Sequence, residues 1–153
     1  MAKEIERKFL VVNDSFKSMS CQRKYIRQGY LSWQKEATVR VRISDDEAYL
    51  TIKGISLKAT RDEWEYPIPI SDAQDMLNRL VDGAVIEKYR YIVEYGENRW
   101  EVDEFVGIHA GLIVAEIELK AENDTFPLPP FIGEEVTGNA AYYNSSLAQM
   151  NVS

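Results

Sequence analysis

Like-charged side chains recur two residues apart along this sequence, as at Glu4/Glu6, Arg40/Arg42, Glu63/Glu65, Lys88/Arg90, Glu101/Asp103 and Glu116/Glu118. In an extended strand, alternate residues face the same side about 6 to 7 Å apart. Each pair therefore sets equal charges where they repel unless something of opposite charge lies between them. Acidic pairs suit a hard cation, and basic pairs suit an anion rich in oxygens. Together they suit a polyphosphate held with divalent metal. Other chemistries lack their parts. Cys21 is the sole cysteine, which leaves no internal disulfide and no cysteine-based zinc site. His109 is the sole histidine, in a Gly-Ile-His-Ala-Gly stretch, which disfavours Ser-His-Asp, Cys-His and multi-histidine metal sites.

The elements that must position these pairs are strands. Period-two alternation predicts eight of them, over residues 3–12, 25–33, 38–44, 48–53, 60–68, 87–95, 98–105 and 113–120. One face then carries Glu4, Glu6 and Lys8; Gln28 and Tyr30; Arg40 and Arg42; Tyr49, Thr51 and Lys53; Arg61, Glu63 and Glu65; Lys88 and Arg90; Glu101 and Asp103; and Glu116, Glu118 and Lys120. The other face carries packing residues such as Phe9, Val41, Leu50, Trp64, Tyr66, Trp100 and Ile117. A helix is expected over 72–81, with Ser71 and Gln74 as a capping box, Ala73, Met76, Leu77 and Leu80 as its apolar stripe, and Gly83 beyond its end. A shorter helix is expected over 141–150 and a turn near 15–18. The proline-rich run from Phe126 to Gly133 reads as an ordered loop.

For any one strand, an open sheet with its polar face in water would explain the alternation. The recurrence of like-charged pairs calls for a shared interior instead. The expectation is a mainly β fold (α+β), an eight-stranded antiparallel closed β-barrel with a polar lumen and a few covering helices. The chain's 153 residues, 45% hydrophobic and 28% charged, suit a single domain over residues 1–153. A formal charge of -7 argues against a broad basic surface for duplex nucleic acid. The charged opening, Met-Ala-Lys-Glu-Ile-Glu-Arg-Lys, and the lack of a long apolar run point to the cytoplasm and away from the membrane.

The opening Glu4-Ile5-Glu6-Arg7-Lys8 resembles the Glu-x-Glu-x-Lys signature of the CYTH superfamily, also called triphosphate tunnel metalloenzymes. Further matches follow in that family's order: Arg27-Gln-Gly-Tyr30, Val39-Arg-Val-Arg42, Leu50-Thr-Ile-Lys53, Arg61 with Glu63 and Glu65, Glu87-Lys-Tyr-Arg90, Glu101-Val-Asp103, Ala115-Glu-Ile-Glu118, Gly133-Glu-Glu-Val-Thr137 and the Tyr142-x-Asn144 ending. The resemblance implies an eight-stranded barrel that hydrolyses triphosphates with Mg²⁺ or Mn²⁺. It implies Lys8, Arg40, Arg42, Arg61, Lys88 and Arg90 as phosphate ligands and Glu4, Glu6, Asp103, Glu116 and Glu118 as the metal-binding set, with Glu63 and Glu65 open. Similar proteins often carry basic residues around the Tyr-x-Asn element, where this chain has Asn139, Ala140, Ala141 and Tyr143. One wall of the tunnel is expected to be less positive for that reason.

The reaction expected is hydrolysis of inorganic triphosphate, or of a nucleoside triphosphate such as ATP, by positioning and charge stabilisation without a covalent nucleophile. One metal is expected on Glu6 with Glu116 and Glu118, a second near Glu4 or Asp103. Lys53, if crowded by Arg40 and Arg42, would have a lowered pKa and could act as the base with Tyr30 as its hydrogen-bonding partner. The plainer role for Lys53 is another phosphate ligand. Alternatives at this stage are a non-catalytic triphosphate-binding module, a thiamine triphosphatase, an adenylate cyclase and an RNA 5′-triphosphatase. The oligomeric state is open, a homodimer among the options.

Overall fold

A computed structural model describes residues 2–57 and 59–142. Their strands are β1 (Ala2–Val11), β2 (Gln22–Ser32), β3 (Thr38–Ser44), β4 (Glu47–Lys53), β5 (Thr60–Pro67), β6 (Ile86–Tyr95), β7 (Asn98–Val106), β8 (Ile113–Glu118) and β9 (Ile132–Glu135). The order is β5-β4-β3-β2-β6-β7-β8-β1-β9, and β1 also pairs with β5. That extra pairing closes eight antiparallel strands into a barrel, with β9 added beside β1. Closure depends on β1 changing partner along one edge: Glu4 lies opposite Arg61 of β5, whereas Phe9 and Val11 lie opposite Glu135 and Ile132 of β9. Its other edge runs along β8, with Glu6 opposite Glu118 and Lys8 opposite Glu116.

β9 is absent from the sequence expectation, which reads residues 126–133 as loop. Four residues with an internal glycine carry little period-two signal, and the strand exists because β1 offers it an edge. The side chain of Arg7 donates to both Glu135 oxygens, and the amide of Val136 donates to the carbonyl of Lys8 at 2.8 Å.

Because the lumen is polar, much of the apolar packing lies outside the wall. One cluster joins Phe9, Trp100, Val102, Ala115 and Ile117 to Phe16 of helix α1 (Ser15–Met19) and to Phe131. Another joins Val41, Ile43 and Ala48 to Ala73 and Leu77 of helix α2 (Ile70–Arg79). Tyr66, expected on a packing face, is exposed instead. The expected capping box at Ser71 does not form. Pro69 is the N-cap, without a side-chain cap bond, so Ser71 sits inside the helix. The backbone is still extended at Pro69 and turns helical at Ile70, one residue ahead of the serine.

Residues 140–142 form a short 3₁₀ turn, and the rest of the helix expected over 141–150 lies outside the described residues. Among the described residues no helix is long and apolar enough to cross a membrane.

Candidate active site in the barrel lumen

Directly opposed residues of an antiparallel ladder point to the same face, and the registers carry the predicted charges into one lumen. Arg40 faces Thr51 across β3–β4, Arg90 faces Asp103 across β6–β7, and Glu101 faces Glu116 across β7–β8. Lys8, Arg40, Lys88, Arg90, Asp103 and Glu116 are all buried. Burying this many charges is tolerable only if they are paired or meet a ligand.

The most internally satisfied group is Asp103. Arg90 donates to its two oxygens at 2.8 and 2.9 Å, and Lys88 Nζ lies 2.7 Å from Oδ2. Burial opposes its charge, yet Arg90 and Lys88 hold the carboxyl far below the usual carboxylate range. Arg90 in turn is held well above its ordinary value: burial opposes its charge, but Asp103 and Glu101 outweigh that. Burial, with Arg90 and Arg42 nearby, brings Lys88 down to about 7 despite Asp103.

Positive charge outruns its partners on β3. Burial, with Arg40 and Arg90 beside it, lowers Arg42 to about 9, far down for a guanidinium. Its Nε donates to Gln28 Oε1 at 2.8 Å. Arg40 donates to Thr51 Oγ1 at 3.3 Å and lies 3.6 Å from Glu65, while its buried Nε has no hydrogen-bond partner among the described residues. Arg61 is anchored to the Gly54 carbonyl and the Thr38 hydroxyl.

The acids gather on β1 and β8. Burial, with Glu116 and Glu4 close by, holds the Glu6 carboxyl well above its usual range. Burial also works against Glu116, but Lys8, 3.4 Å away, and a hydrogen bond from Glu6 keep it at about 2. The Glu118 carboxyl is raised by partial burial and by Glu4, Glu63 and Glu101. Like charges opposed across a ladder, as at Glu6 and Glu118, repel.

Among the described residues no three acidic, histidine or cysteine side chains already form a metal cage. The donor set still fits a divalent cation in kind: crowded carboxylate oxygens, one driven towards protonation for want of a counter-charge. Glu4 and Glu116 would have to turn from Lys53 and Lys8 to meet it. Asp103 is committed to its cations.

Two expected arrangements differ in the structure. Lys53, expected beside Arg40 and Arg42, is paired with an acid: its ammonium lies 2.9 Å from both oxygens of Glu4. The residues of β4 and β5 that flank it include acids, and the nearest carboxylate takes the charge. Tyr30 packs with Ile86, Phe105 and Val114 and stacks on Trp33 at 5.1 Å, in an apolar cluster. Gln28 is a lumen residue to which the sequence assigned no role. Its phase along β2 marked the face, but its bond to Arg42 depends on a register between strands.

Lys8 adds a contact from the other end of the chain, donating to the Tyr142 carbonyl at 3.0 Å. Beside Glu101 and Glu118, a cavity of about 710 Å³ opens towards solvent, lined also by Arg99, Lys120 and Asp124.

A closed antiparallel barrel with segregated acids and bases inside has the build of a tunnel for a polyanion and its cations. The chain belongs to the CYTH domain family, whose model matches residues 2–150. It is 48% identical over 149 residues to an inorganic triphosphatase of Acetivibrio thermocellus, covering 97% of this chain and 95% of that one. It is 34% identical over 152 residues to an inorganic triphosphatase of Nitrosomonas europaea, covering 95% and 96%. A crystal structure of an inorganic triphosphatase superposes with a TM-score of 0.67 at 32% identity, covering 97% of this chain and 95% of that chain. Membership implies dependence on a divalent metal.

Proposed function

We propose that this protein hydrolyses inorganic triphosphate to pyrophosphate and phosphate with Mg²⁺ or Mn²⁺. The observation that carries the reading is the group of buried Arg40, Lys88 and Arg90 with half-buried Arg42 beside them, in which desolvation first, and then Arg40 and Arg90, destabilise Arg42 as a cation. A bound polyphosphate supplies the charge these groups lack. The two relatives and the solved neighbour, all inorganic triphosphatases, support the same activity.

In this reading Arg40, Arg42, Arg61, Lys88 and Arg90 bind the phosphate oxygens and hold the chain in line for attack. Asp103 fixes Arg90 and Lys88 rather than ligating metal, since its oxygens are already engaged. Glu4, Glu6, Glu116 and Glu118 would hold the divalent ion, which would supply charge neutralisation at the phosphates and a more acidic water. Lys8 and Lys53 keep Glu116 and Glu4 paired before loading and turn to phosphate afterwards. Lys53 is assigned to phosphate binding because its ammonium already lies within hydrogen-bond reach of both Glu4 oxygens and stands ready as a point charge for a phosphate. Tyr30 is assigned to the apolar cluster.

The test is phosphate release from inorganic triphosphate and, separately, from ATP at equal concentration, with Mg²⁺ or Mn²⁺ and then with chelator. Metal-dependent release favouring triphosphate is expected. Preference for ATP would make the enzyme nucleotide-directed, and no release from either would leave a binding protein.

A further inference from the structure

The lumen changes character along its length. Tyr30 lies opposite Arg40, Ile86 opposite Gln28, Phe105 opposite Lys88 and Val114 opposite Asp103, so all four apolar side chains share the face that carries the charges. They pack on one another inside the barrel, each 7% exposed or less. Trp33, just past the end of β2, and Leu112, just before β8, pack against them. These are the ends of β2, β6, β7 and β8 that meet at one rim. Glu101 and Glu118 stand at the other ends of β7 and β8, where the cavity opens. From Glu101 to Phe105 is about 13 Å by strand rise. Along that length the lumen runs from an acidic mouth through a basic middle to an apolar floor.

Gln28 lies directly above this floor, fully buried, opposite Ile86 and two residues before Tyr30. Arg42 Nε can only donate, so the atom of Gln28 facing it is the carbonyl oxygen and the other is the amide nitrogen. That nitrogen, Nε2, is buried without a hydrogen-bond partner among the described residues, as is Arg40 Nε on the adjoining strand. A buried donor left unmet costs about 1–3 kcal/mol, and two in one lumen call for an acceptor that arrives from outside.

We infer that the lumen is blind at this floor and that Gln28 Nε2, with Arg40 Nε, binds the leading terminal phosphoryl group of the substrate. Substrate then enters through the acidic mouth alone and must have at least one unesterified phosphate end. This rests on the proposed triphosphate site.

The test reads binding as the ligand-dependent rise in melting temperature, which needs no turnover. A protein that binds but does not hydrolyse triphosphate would therefore sink the proposed activity and leave this inference standing. The probes are inorganic triphosphate, ATP and P1,P3-diadenosine triphosphate, which is capped at both ends. The doubly capped ligand is expected to need more than tenfold the ATP concentration for an equal rise. Gln28→Leu is expected to need about tenfold more triphosphate than wild type, and a comparable further loss is expected when it is added to Arg42→Met. Gln28→Met repeats the measurement should the leucine variant not melt cooperatively. Diadenosine triphosphate matching ATP within threefold would overturn the blind floor. No loss beyond that of Arg42→Met would show that Gln28 acts only by holding the arginine, and would overturn the contact.

Discussion

Glu6 shows at the scale of one residue how function strains the fold. Burial, then Glu116 and Glu4, raise its pKa, so the folded protein holds a proton that the unfolded chain releases. This contribution to stability is present below the unfolded carboxylate range and is lost as pH rises through the higher folded value. Metal-free protein should therefore lose melting temperature on going from mildly acidic to neutral pH. Glu6→Gln should flatten that dependence and melt higher than wild type in chelator, while its triphosphatase kcat falls by orders of magnitude; melting curves across pH and an activity assay check both. Asp103 has the opposite sign: its lowered pKa contributes stability above the unfolded value, lost only in strong acid. Asp103→Asn removes the buried carboxylate that faces both Arg90 and Lys88 and should cost about 3–5 kcal/mol in denaturant unfolding. The identity of these residues was legible in the sequence, because a spacing of two is a local property. Their partners were not: Lys53 meets Glu4 across 49 positions, and Asp103 meets Lys88 and Arg90 from the next strand.

Eight of the strands were legible as elements for the same reason, since each carries its own alternation. The ninth was decided by a neighbour, the edge of β1, and α2 starts at Ile70, one residue ahead of the serine expected to cap it. Packing of α2 on the wall makes a further demand at Gly29. A Cβ there would lie 2.5 Å from Val81 Cγ2 and 3.2 Å from Leu77 Cδ2. Gly29→Val should destabilise the fold by about 1–3 kcal/mol through overpacking, read by chemical unfolding. Because the new methyls point outwards, KM of the folded fraction should change less than twofold. A large change in KM would mean that the wall transmits outer packing to Gln28 and Tyr30.

For the molecule as a whole, a formal charge of -7 and an acidic mouth repel the same polyanion that the buried bases attract. Association of triphosphate with metal-free protein, followed by stopped-flow, should therefore quicken as NaCl is raised and quicken further with Mg²⁺, which binds both partners. A rate that falls with salt would place the entrance elsewhere. The sequence by itself determined which residues carry charge, which face of each strand they occupy and, through the order of its motifs, the family, since composition, period and motif order are properties of the chain alone. Only the tertiary structure decided that β1 joins β5 and shuts the barrel, that Asp103 is taken up by Arg90 and Lys88, and that four apolar side chains close one end beneath Gln28. Those outcomes depend on register and closure between strands far apart in sequence, where a shift of one residue would turn every side chain to the opposite face.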